Sequence, residues 1–140
     1  MWMLLIPFAV IALLHNGFIA EAWQDGRRDD RIRSIEAKAQ IDPALTRLVE
    51  KSKKSPLSPD EHRDYVRLIH GQTEKFEQAA VALKAMPLRE KDALVHAGIV
   101  KRYENYTVAY RGLADAYDHN DANAVMAARE NARKLLANSP

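Results

Sequence analysis

The chain contains no cysteine. That absence removes disulfide scaffolds, thiolate zinc sites, iron–sulfur clusters and thiol catalysis together. It leaves the compartment open, because a cysteine-free chain folds in oxidising or reducing surroundings alike. A strong charge of one sign is missing too. Twenty-one Lys and Arg stand against 19 Asp and Glu, a formal net charge of +2. So small a bias gives no electrostatic footprint for nucleic acid. No stretch alternates apolar and polar residues strictly, so no strands are expected. There is no glycine-rich phosphate loop and no G-x-S-x-G nucleophile elbow. Neither E-x-x-H nor H-E-x-x-H occurs, which disfavours a carboxylate di-iron bundle and the common zinc hydrolases. The histidines His15, His62, His70, His96 and His119 show no ligand spacing. No nucleophile, base and orienter can be named as a set. The expectation is a protein that is not an enzyme, with no catalytic residue, no metal and no cofactor.

What the chain does have begins with an apolar run. Trp2 to Ala20 reads WMLLIPFAVIALLHNGFIA and carries no charge. At about 1.5 Å per residue it extends about 28 Å, close to the hydrocarbon thickness of a bilayer. Trp2 and Trp23, the only tryptophans, bracket it, and indole rings favour the interface. Arg27, Arg28, Arg31 and Arg33 follow, and no Lys or Arg precedes it. A retained single-pass anchor is therefore expected, contacting lipid through residues 2–20, with Trp2, Trp23, Arg27 and Arg28 at the interface. The positive-inside rule then puts the rest of the chain in the cytoplasm. Ala20-Glu21-Ala22 offers a competing reading, since A-x-A is a signal-peptidase pattern, although the positive region that should precede it is missing; a buried core helix is the third reading.

Residues 24–54 are charged and helix-prone. Asp42-Pro43 reads as N-cap and first helical residue. Lys51, Lys53 and Lys54 suit the end of that helix, where cations meet the negative dipole. Ser55-Pro56-Leu57-Ser58 reads as a linker and hinge. Ser58-Pro59-Asp60-Glu61 is a capping box with proline at the first helical position. The helix it opens carries Tyr65, Ile69, Gln72, Phe76, Ala79, Leu83 and Met86 in alternating steps of four and three. Beyond Pro87 a second helix, starting near Leu88, carries His96, Ile99, Tyr103, Tyr106, Tyr110, Leu113 and Tyr117 in steps of three and four. Two seven-residue repeats joined by a short connection predict an antiparallel, left-handed supercoiled pair. Symmetry about Pro87 would set Phe76 against Ile99, Ile69 against Tyr106, and Gln72 against Tyr103. Gln72, the only polar seam residue of its helix, should then bond the Tyr103 hydroxyl. Asp121 caps a last, alanine-rich helix with Val125, Ala128, Ala132 and Leu135 inside.

Three patterns could carry function. Tyr103, Tyr106, Tyr110 and Tyr117 form either an aromatic wall for a partner or a seam of packed rings with hydroxyls at the rim. Gly98, Asn105 and Gly112 recur by sevens on another side of the same helix. Each mid-helix glycine costs about 1 kcal/mol relative to alanine. Close approach of the last helix would explain that cost, and so would a surface kept bare for a partner. Leu113-Ala114-Asp115-Ala116-Tyr117, followed by alanines at helical spacing, resembles half of a tetratricopeptide repeat. It covers only the last two helices, and no copy precedes it. The resemblance implies a helical hairpin and no family membership.

The expected fold is all-α: an N-terminal transmembrane helix followed by a small antiparallel helical bundle. Residues 1–23 are the anchor, 24–54 charged connecting helices, 55–58 a linker and 59–140 the bundle. The expected function is that of a membrane-anchored adaptor or accessory subunit, binding another protein through helix faces. The tyrosines are the candidate contact residues, and no nucleic acid is expected. The alternative is an exported, signal-cleaved helical domain holding a small ligand within the bundle.

Overall fold

The structure, a computed structural model, describes residues 26–138, and among these it is all-helical, without strands. The chain divides at Ser34/Ile35 into two compact units. Helix α1 covers residues 26–38, α2 Pro43–Lys54, α3 Pro59–Lys84, α4 Ala93–Asp118 and α5 Ala122–Ala137. The predicted anchor, with Trp2 and Trp23, lies outside the described residues. Among the described residues no helix is long and apolar enough to cross a membrane. Of the first unit, Arg27 is exposed, and Arg28 is half-buried in an ion pair of 3.1 Å with Asp29.

The capping signals act as their chemistry demands. The Ala44 amide donates to the Asp42 carboxylate at 2.8 Å, opening α2. At α3 both halves of the box form. The Glu61 amide donates to Ser58 Oγ, and the Ser58 amide to Glu61 Oε1. Two of the orphan donors at that terminus are thereby satisfied. Asp121 accepts from the Asn123 amide at the head of α5, after a turn in which Asn120 takes φ 50°. Asparagine tolerates that left-handed conformation better than most residues.

The antiparallel pairing of α3 and α4 shows in two ion pairs and one histidine–carboxylate contact. Lys84 meets Glu104, Glu77 meets Arg111 at 2.8 Å, and His70 meets Asp118 at 3.0 Å. Each step of seven down α3 is a step of seven up α4, so the two helices share the predicted seven-residue repeat. Its offset differs from the expected one. The Phe76 ring lies 5.2 Å from Tyr106 and 5.1 Å from Tyr110, where symmetry about Pro87 would have set it against Ile99. The reason is the connection. It runs from Ala85 to Asp92, including the 3-10 turn Glu90–Asp92, so α4 starts at Ala93 and not near Leu88. The Arg89 guanidinium donates to Asp92 within that turn, and the buried His96 ring bonds the Leu83 carbonyl at 2.7 Å.

Helix α2 packs on α3, so the chain on either side of the 55–58 linker is held together. Leu45, Ile69 and Ala114 form a buried cluster, with Val49, Tyr65 and Leu113 against it. Lys51 also pairs with Glu61 across the linker, which holds the Glu61 carboxyl below its ordinary range. Gly71 sits exposed in mid-α3, and a Cβ there would meet nothing within 4 Å. Gly71→Ala should therefore stabilise the fold by about 1 kcal/mol through helix propensity alone. A lower melting temperature for this variant would show an undetected constraint on that backbone.

Candidate protein-binding surface

The tyrosines turn inward more than outward. Tyr103 is buried, while Tyr106, Tyr110 and Tyr117 are half-buried. Tyr103, Tyr106 and Tyr110 enclose the Phe76 ring, all within 6.2 Å between centroids and tilted or edge-on. Such edge-to-face arrangements favour the ring quadrupoles. Tyr117 meets Tyr65 edge-on at 5.3 Å and His62 at 5.5 Å. Arg129 of α5 donates to the Tyr117 hydroxyl at 2.7 Å, fastening the last helix to the hairpin. The seam of packed rings thus describes the geometry better than an open aromatic wall.

Burial pushes the phenol pKa up for Tyr65 and Tyr110. For Tyr103 it rises to about 12, through burial first and the nearby Glu36 carboxylate second. These are neutral hydroxyls at physiological pH. A raised acid pKa means the fold holds the proton more tightly than the unfolded chain, whose phenols titrate near 10.0. That stability is fully present below the unfolded value and is lost as pH rises through the folded ones. Helical ellipticity should collapse in step with tyrosinate absorbance above pH 10. All five tyrosines ionising at ordinary values with helicity intact would contradict this packing.

Gln72 does need partners, as its seam position implies, but they are not Tyr103. Its Oε1 accepts from the Asp42 amide at 3.1 Å, and its Nε2 donates to the Ala39 carbonyl at 3.0 Å. One side chain of α3 thereby satisfies both ends of the α1–α2 turn.

The open surface lies on the other side of α4. Between α4 and α5 runs a groove of about 760 Å³. Ala109, Gly112 and Ala116 of α4 and Ala128 and Ala132 of α5 line it, together with the polar Asn131 and Lys134. Val108, also in the lining, is 58% exposed in the middle of a 26-residue helix. The close-approach explanation of Gly112 fails, because a Cβ there would meet nothing within 4 Å. Gly112 is exposed, beside the buried Ala109, Ala116 and Ala132. The sequence carried this signal only as small residues spaced by sevens, and the groove itself depends on how far apart α4 and α5 stand.

Among the described residues no group of three His, Asp or Glu side chains could hold a metal ion. His62 lies against tyrosine rings, and His70 faces Asp118. No protein-family model, curated protein or solved structure matches the chain.

Proposed function

We propose that this chain is a membrane-anchored helical adaptor or accessory subunit that binds another protein through the α4–α5 side of its bundle. The carrying observation is Gly112, a mid-helix glycine with no neighbour to require it, set in an open, alanine-lined groove. A groove lined by small side chains accepts a helix at close range, because recognition by helix-in-groove docking needs apolar contact along several turns. A small molecule would fit the volume, but an open trough between two helices leaves much of such a ligand in water. Anchoring rests on the uncharged length from Trp2 to Ala20, and the cytoplasmic orientation on the arginines that follow. The role is non-enzymatic.

The test uses the full chain extracted from membranes in mild detergent. A second polypeptide in fixed stoichiometry should accompany it, read by native mass. Gly112→Phe should reduce that association about tenfold or more, because a ring in the groove blocks backbone approach. A lone monomer, or an association indifferent to Gly112→Phe, would refute the reading.

A further inference from the structure

We propose that the occupant of the α4–α5 groove is α4 of a second copy of this chain, packed antiparallel about a two-fold axis at Val108. The proposal rests on the helix-face reading above and names the partner of that surface.

The argument starts from which charges are already used. Glu104, Arg111 and Asp118 recur by sevens on the flank of α4 toward α3, and each is paired there. Leu94, Lys101, Val108 and Asp115 also recur by sevens, a short way round the helix and exposed throughout. Among the described residues neither Lys101 nor Asp115 makes an ion pair within 4 Å, and Lys101 acts only at longer range, helping Lys84 to lower the Glu104 carboxyl pKa. Leu94 is 87% exposed and Val108 58%. Large apolar residues held in water at heptad spacing are what a supercoiled partner helix covers.

The order of charges selects the partner. In a two-fold contact, whatever residue i meets on its partner is met in return by residue i of that partner. Antiparallel pairing about Val108 brings the two valines together on the axis. Two turns away on either side, Lys101 of each copy falls opposite Asp115 of the other. The pattern cation, valine, anion is therefore complementary to its own reverse. Glu104 keeps its pairing with Lys84 on the α3 flank and falls level with Gly112 of the other copy, which has no side chain to meet it. Leu94 falls beyond the end of the partner's α4 at Asp118, toward the turn into α5. No like charges face each other at this register. A parallel pairing in register would set Lys101 on Lys101 and Asp115 on Asp115, which costs affinity.

The absence of native cysteine makes the test direct. Full-length Val108→Cys in native membranes places one thiol on the proposed axis, within reach of its copy. Mild oxidation should convert most of it to a covalent homodimer. Val81→Cys, at an equally exposed valine of α3, should stay largely monomeric. In the Val108→Cys background, Lys101→Glu and Asp115→Lys should each lower cross-linking about tenfold or more by setting like charges face to face. Combining them should restore it. Both residues are exposed, so the variants keep the fold, which circular dichroism checks. Cross-linking of Val108→Cys no better than Val81→Cys would overturn self-pairing, and so would failure of the double swap to recover. If Val108→Cys forms no homodimer while Gly112→Phe still strips a different polypeptide from the detergent complex, self-pairing falls and the helix-face reading stands. If neither variant has an effect, both fall.

Discussion

Phe76→Ala is expected to destabilise the protein by about 3–5 kcal/mol, the range for truncating a buried phenylalanine. Phe76 is only 4% exposed and touches three tyrosine rings that α4 delivers from successive turns. Removing the ring forfeits its transfer free energy and leaves a hole walled by groups with little freedom to close it. Tyr103 is buried, and the α3–α4 ion pairs hold the register on both sides. Domains of this size have about 5–15 kcal/mol in total, so the variant should melt far lower or populate unfolded chain at room temperature. Urea titration followed by circular dichroism measures the difference. A midpoint equal to the parent's would mean that α3 and α4 do not meet at Phe76.

The second large effect is expected at Gln72, which is 1% exposed. Gln72→Leu keeps the approximate volume but abandons the Asp42 amide and the Ala39 carbonyl, which the carboxamide now satisfies. A buried backbone group left without a partner costs about 1–3 kcal/mol. The Ala39 carbonyl is buried and the Asp42 amide partly so, and losing both partners should cost roughly 2–4 kcal/mol, partly offset by leucine's better burial. The damage should be local first. Asp42 caps α2, so losing its anchorage should loosen that helix before the α3–α4 hairpin melts. Hydrogen exchange distinguishes this from a global loss. The Asp42 amide and the first turn of α2 should exchange much faster, while amides in the middle of α3 keep their protection. Uniform acceleration across both helices would refute this account of Gln72.

The two positions also show what could be read from sequence. Helix α3 was legible, because its seam residues from Ile69 to Leu83 are buried as the spacing required and its capping box forms. It packs mainly on one side, so a single stripe describes it. Helix α4 was less legible because it lies between α3 and α5 and buries two faces. Asn105, Ala109 and Ala116, which no apolar period marks, are buried along with Tyr103 and Ala114. The partners of Gln72 escaped because they are backbone atoms more than thirty residues away in the chain. The offset between α3 and α4 escaped because a 3-10 turn after Pro87 has no signature in the heptad. The groove was foreshadowed only by Asn105 and Gly112, which line it.

The anchored-adaptor account stands or falls on the fate of Trp2–Ala20. Membranes from cells expressing the full chain should retain it after a high-salt or carbonate wash and release it only to detergent. Intact mass should then return the entire 140-residue sequence. Protease added outside intact spheroplasts should spare the bundle. A chain found in the soluble extracytoplasmic fraction, with a mass beginning at Trp23, would contradict the account.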